Sequence, residues 1–172
     1  NIKDAILTNT KLEDKLHCIS VVSNPIQFKS RYDNANRFIQ LMEKEPNTIL
    51  YIVELAYNDP SFVLTDSSNP RHLQLRTDTS PIWVKENLIN IGIRKLLPSN
   101  WKAVAWIDAD IEFESAHWAE DTLKVLNGTR DIVQLFSSAI YMDERRRTMN
   151  TFYSFGYQYN RAVNCSTFSD NS

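Results

Sequence analysis

"WKAVAWIDADIEF", residues 101–113, is the stretch on which the fold turns. Ala103 to Ile107 is apolar at every position, as a strand buried on both faces of a parallel sheet must be. Acids then arrive at Asp108, Asp110, Glu112 and Glu114. Extended onward as a strand, these four carboxylates share one face, and Ile107, Ala109, Ile111 and Phe113 share the other. Four like charges on one face repel, so cations or free access to water must compensate them.

The flanking segments set this stretch in a repeating pattern. "LHCISVVSNP" is a β-branched apolar run ended by the turn formers Ser23, Asn24 and Pro25. "IQFKSRYDNANRFIQLMEKEP" spaces Tyr32, Ala35, Phe38 and either Leu41 or Met42 at helical steps and is stopped by Pro46. "TILYIVELAY" returns to a strand, "RHLQLRT" is a short alternating one, and "KENLINIGIRKLL" is a helix with Ile89, Ile93 and Leu96 on one face. "AHWAEDTLKVLN" has helical spacing and "DIVQLFSSAIYMD" is extended, whereas the tail from residue 144 has no clear core pattern. Strands alternating with helices define an α/β protein with a mostly parallel sheet flanked by helices on both faces. In such sheets ligands bind beyond the carboxyl ends of the strands, where the acids begin.

Bulk properties narrow the classes. At 172 residues with 42% hydrophobic content the chain suits one domain, residues 1–172, with a core that needs no disulfide or metal staple. A net charge of -2 argues against nucleic acid as a partner, since phosphate backbones call for clustered cations. Cys18 and Cys165 make neither a disulfide framework nor a zinc pattern, which favours a reducing compartment. No apolar stretch has the length of a transmembrane segment and "NIKDAILTNT" is not a signal peptide, so a cytoplasmic location is expected. Asn127-Gly128-Thr129 and Asn164-Cys165-Ser166 match the N-glycosylation pattern, but nothing else marks a secreted chain and both read as coincidence.

A D-x-D triplet arises easily by chance; its context carries the weight. Two carboxylates at a strand end facing a crevice suit Mn²⁺ or Mg²⁺, which take one or two protein carboxylates and leave other positions to phosphate and water. Polar residues close the other strands: Ser23 and Asn24 the first, Glu54 and Tyr57 the second, Arg76 and Asp78 the third. Lys85, Asn87 and Asn90 begin the helix leading to the acidic strand, and Arg31, Arg76 and Lys85 have the charge to neutralise a diphosphate. Each alone is an ordinary surface residue or cap; their collection at one sheet edge is the signal.

The strand ending "SNP", the helix carrying "SRYDN" and the run "VKENLINIGIRKLLPSNWKAVAWIDADIEF" together resemble a GT-A type, nucleotide-sugar-dependent glycosyltransferase, closest to glycosyltransferases of large DNA viruses that infect algae. The resemblance spans residues 16 to about 143, the nucleotide-sugar-binding part, and leaves 144–172 as an acceptor-side tail. It implies a GT-A (Rossmann-like) fold, Mn²⁺ or Mg²⁺ as cofactor, a nucleotide-sugar donor, expected to be UDP-linked, and a glycan or glycoprotein acceptor. A viral chain of this kind would work in the host cytoplasm. By position it makes Asp110 the main metal ligand and Asp108 a contact to the metal or ribose, with Ser23, Asn24 and Arg31 near the nucleotide. Glu54, Arg76, Lys85 and Asn90 complete the expected donor site.

The match departs from the family after the acids, where a further metal ligand, often His, and an acceptor-activating carboxylate are commonly found. His117 reads as a helix-start residue, and Asp143 and Glu144 are the carboxylates placed to serve as a catalytic base. The tail's aromatics suit either an acceptor groove or a small second core. With only three glycines and no G-x-G-x-x-G, dinucleotide and P-loop enzymes are disfavoured. Two alternatives stay open: a haloacid-dehalogenase-like phosphatase, whose D-x-D follows its first strand, and a non-catalytic binder of sugar nucleotides or carbohydrate.

Overall fold

A computed structural model describes residues 15–58, 61–78, 84–128 and 130–169. The N-terminal "NIKDAILTNT" and Thr129 of the first glycosylation pattern lie outside the described residues. The chain divides into two compact units, the first ending at Arg130 and the second beginning at Asp131. The expected single domain with a tail from residue 144 thus divides earlier, before the strand that contains Tyr141.

In the first unit, β1 (Leu16–Ser23), β2 (Thr48–Tyr57), β3 (His72–Thr77) and β4 (Val104–Trp106) form an all-parallel sheet in the order β3-β2-β1-β4. Helix α1 (Lys29–Met42) joins β1 to β2, and α2 (Lys85–Leu96) joins β3 to β4. The two crossovers run in opposite directions across the sheet, so right-handed connections put α1 and α2 on opposite faces. This is an α/β architecture compatible with a Rossmann-like fold.

β1 and β2 are buried along most of their length because they occupy the sheet's interior, and their register runs unbroken from Leu16↔Thr48 to Ser23↔Leu55. On one face, Ile19, Tyr51, Val53, Leu55 and Tyr57 form a core with Leu88, Ile89 and Leu97. Gly92 lets α2 approach closely: a Cβ there would collide with the Ile19 Cδ1 and lie 2.7 Å from Val53 Cγ2. α1 buries Ala35, Phe38 and Met42, which settles the alternative at the end of that helix, since Leu41 is exposed.

The acidic stretch differs from its expectation. β4 stops at Trp106, and the chain from Ile107 to Phe113 is irregular, with a turn at Ala109 and Asp110, so strand alternation does not order the acids. The last ladder bond is Ile107 N–H to the Ile19 carbonyl, and the Ser20 hydroxyl then donates to the Ile107 carbonyl. Beyond that point aspartates on alternate residues favour a turn over a ladder. β4 is also an edge of the described sheet, with Trp106 62% exposed, where a central strand was expected.

α3 (Trp118–Gly128) completes the described part of the first unit. In the second, β5 (Ser138–Met142) and β6 (Thr148–Tyr153) form an antiparallel hairpin followed by α4 (Phe155–Ser169). The extended reading of residues 131–143 holds for β5, which belongs to this separate hairpin instead of the parallel sheet. The patternless tail is a strand and a helix, and its aromatics from Phe152 to Tyr159 are largely exposed.

Candidate functional site at the carboxyl edge of the sheet

The strand order reverses direction between β1 and β4, so the crevice outside their carboxyl ends is the topological switch point. Ser23 ends β1 there, and Asp108 follows β4 by two residues.

Ser23 Oγ donates to the Tyr57 hydroxyl at 3.3 Å, and the Ser23 carbonyl accepts from Arg31 Nη1 at 2.9 Å. Ser23, Arg31 and Tyr57 are therefore gathered at the ends of β1 and β2. The Asn24 side chain instead binds backbone, its Oδ1 accepting the Phe28 N–H at 3.1 Å and its Nδ2 donating to the Phe28 carbonyl at 2.9 Å. This clasp fixes the entry to α1, whose N-cap has no side-chain bond of its own.

Glu54 also departs from its expected place at a nucleotide. It is 3% exposed, and its carboxylate accepts the N–H groups of Val63, Leu64 and Thr65 and the Thr65 hydroxyl at 2.6 Å. A buried carboxylate survives only with such partners, and here it pins the loop that carries the chain to β3. Burial, with the Glu54 charge nearby, pushes the Tyr32 phenol above its usual range despite a hydrogen bond with Asn24. Arg76 lies near the end of β3 with its guanidinium 4.5 Å above the Phe62 ring. β2 and β1 separate β3 from β4, so the strand that carries Arg76 lies roughly 12 Å from the switch point.

The charge problem posed by the acids has a local answer. Lys85, the first residue of α2, makes an ion pair with Asp108, and Arg37 of α1 pairs with Glu112 at 2.8 Å. The acidic loop is thereby clipped to a helix on each face of the sheet. Asp110, at the turn between the clips, is exposed and has no hydrogen-bond or ion-pair partner among the described residues; the same is true of Glu114. Arg37 was missed in the sequence: it sits on the polar side of α1, and nothing short of the fold links it to Glu112. The only advance signal was the need for cations that four carboxylates create. Asn90, five residues after Lys85, lies roughly 140° around α2 from it and does not join the pair.

Asp143 and Glu144 lie in the β5–β6 turn of the second unit. Asp143 accepts the N–H groups of Arg145 and Arg147 at 2.9 and 2.8 Å and the Arg147 Nε at 2.7 Å. The bonds from Arg147 hold its carboxyl below the usual range, which favours a turn lock and makes it a poorer base. His117 precedes α3, its carbonyl accepting the Asp121 N–H and its ring 3.7 Å from Glu120, in keeping with a helix-start residue.

No group of three or more His, Cys, Asp or Glu is gathered for a metal among the described residues, so a site closed by protein ligands does not fit. Asp108 and Asp110 are of the type that suits a cation taking one or two carboxylates and completing its shell with phosphate and water: Asp108 is paired with the Lys85 ammonium, and Asp110, two residues on in the turn, is exposed. No helix among the described residues is long and apolar enough to cross a membrane. Comparison with family models, curated proteins and solved structures gives no match for this chain.

Proposed function

We propose that this chain is a metal-dependent GT-A type glycosyltransferase that moves a sugar from a nucleoside-diphosphate donor, UDP-linked in this reading, to a glycan or glycoprotein acceptor. The observation that carries the reading is the pairing of Asp108 with Lys85 and the open Asp110 beside the switch point of a parallel sheet. A carboxylate for a divalent cation and an ammonium for phosphate are paired here, an arrangement complementary to the charges of a metal diphosphate. Lys85 and Arg31 supply positive charge to the diphosphate, while Ser23 and Tyr57 offer hydroxyls at the β1 and β2 ends. Mn²⁺ or Mg²⁺, when bound, would supply charge to offset that of a leaving diphosphate. Asp108 and Asp110 would hold it, and Glu112 stays with Arg37 as a brace of the loop.

Of the two carboxylates expected to activate the acceptor, Asp143 is held by its hairpin, and Glu144 is the exposed one. The phosphatase alternative asks for a nucleophile after the first strand, whereas Asp108 follows the fourth, at the sheet's described edge.

The test is release of nucleoside diphosphate from a panel of UDP- and GDP-sugars, with Mn²⁺ and with chelator, for the wild type and Asp110→Asn. The reading expects turnover that chelation removes and that the substitution lowers by about 10² or more. Turnover indifferent to both changes, or hydrolysis of aryl phosphates in its place, would remove the reading.

A further inference from the structure

We infer that His72 is a proton-operated latch at the amino end of the sheet: the neutral ring ties the turn at residues 66–69 to β3, and the imidazolium lets that turn go and widens the cleft beside it. The inference is independent of the function proposed for the carboxyl edge. His72 is the first residue of β3, and its Nδ1 accepts the Asp66 N–H at 3.0 Å. A backbone N–H can only donate, so Nδ1 is bare and the neutral ring carries its proton on Nε2. Nε2 lies 3.3 Å from Asn69 Nδ2 and keeps that proton in both charge states, so protonation changes the Asp66 contact alone. There it sets an N–H against an N–H, and the bond becomes a repulsion.

The loop between β2 and β3 is thus held by two different devices. Residues 63–65 hang on the Glu54 carboxylate, with the Thr65 carbonyl also accepting from Gln74 Nε2. The turn that follows depends on a group that titrates near neutrality. Asn69, Arg71 and His72 line a cleft of about 270 Å³ together with Ile39 and Met42 of α1, so a released turn changes its wall. The Asp66, Glu54 and Glu43 carboxylates draw the ring toward its charged form, while burial, the larger effect, holds it below the ordinary histidine value. Lys15, Glu45 and Arg71 are the other charged groups on that cleft. A depressed folded value means that the latch holds above the ordinary value of about 6.5 and is lost as pH falls through the lower folded one.

Residue-resolved NMR of the full chain, titrated from neutral to mildly acid solution, tests this on wild type, His72→Asn and His72→Phe. Asn brings an amide oxygen close to where Nδ1 stands and has no charge to gain; Phe offers no acceptor. In the wild type the Asp66 amide shift should follow the His72 ring with the same midpoint. Its exchange, corrected for the intrinsic pH dependence, should speed about fivefold or more on the acid side, the equilibrium worth of one hydrogen bond. The amides of residues 63–65 should keep their protection. His72→Asn is expected to stay latched through the titration, and His72→Phe to show the fast exchange at every pH. An Asp66 amide that ignores the His72 midpoint in the wild type overturns the inference whatever the variants do, as does the same transition surviving in His72→Asn.

Discussion

At the scale of the residue, Glu54 and Asp143 show carboxylates spent on loops. Glu54 is buried with its partners supplied by residues 63–65, so Glu54→Gln removes the charge from every one of those bonds and sets an amide N–H₂ among donors. Unfolding in urea should show a loss of about 1.5–3 kcal/mol, the range for hydrogen bonds to a charged group. An unchanged midpoint would mean that the loop does not depend on the carboxylate. Asp143 lies in a surface turn, and its folded carboxyl lies below the ordinary value because Arg147 and Arg145 donate to it. A depressed folded value means that its contribution is present above the unfolded range and is lost as pH falls through the folded value. Chemical shifts of the Arg145 and Arg147 amides followed by pH titration should therefore move only in strongly acid solution; movement in the ordinary aspartate range would contradict the lock. Cys18 is fully buried in β1, and burial, with Glu45 nearby, pushes its thiol far above the usual range, as for a structural cysteine.

At the scale of the element, the sequence was most legible where hydrophobic period and turn chemistry agreed. The first two strands and the α1 and α2 helices were readable because Pro25, Pro46 and the apolar steps mark their limits. The strand through the acids was misread because alternation of Ile107, Ala109 and Ile111 mimics a ladder, while the fold ends β4 after three residues. Only the third dimension shows the Ser20 hydroxyl meeting the Ile107 carbonyl there. In the candidate site, Ser23, Asp108 and Asp110 were legible as polar ends of apolar runs, and Arg31 and Lys85 as cations on the helices beside them. Glu54 and Asn24 carry the same signal, and their structural duties depend on loops that the sequence does not locate. The packing of α2 has its own test at Gly92. Gly92→Ala drives a methyl into Ile19 and Val53, and thermal or urea unfolding should show a loss of about 1–3 kcal/mol, as overpacked cores do. Stability equal to wild type would mean that α2 sits further from the sheet.

At the scale of the whole molecule, the two units differ in how they are stabilised. The first encloses the interior strands β1 and β2, with Ile19 and Val53 inaccessible to solvent. The second is a two-stranded hairpin and a helix that leave Ile132, Met149, Phe152 and Phe155 at least half exposed. A hairpin with so little cover is marginal by itself. Native-state hydrogen exchange should therefore find amides of β1 and β2 the slowest and those of β5 and β6 much faster; equal protection in both units would contradict this ranking.

The site at the carboxyl edge depends on the first unit's topology and on the charge arrangement of Asp108, Asp110 and Lys85. Its most direct test is anomalous diffraction at the manganese edge from crystals grown with Mn²⁺ and UDP. The account predicts a peak against Asp108 and Asp110, with the diphosphate toward Lys85. A peak elsewhere, or UDP bound away from the ends of β1 and β4, would contradict it.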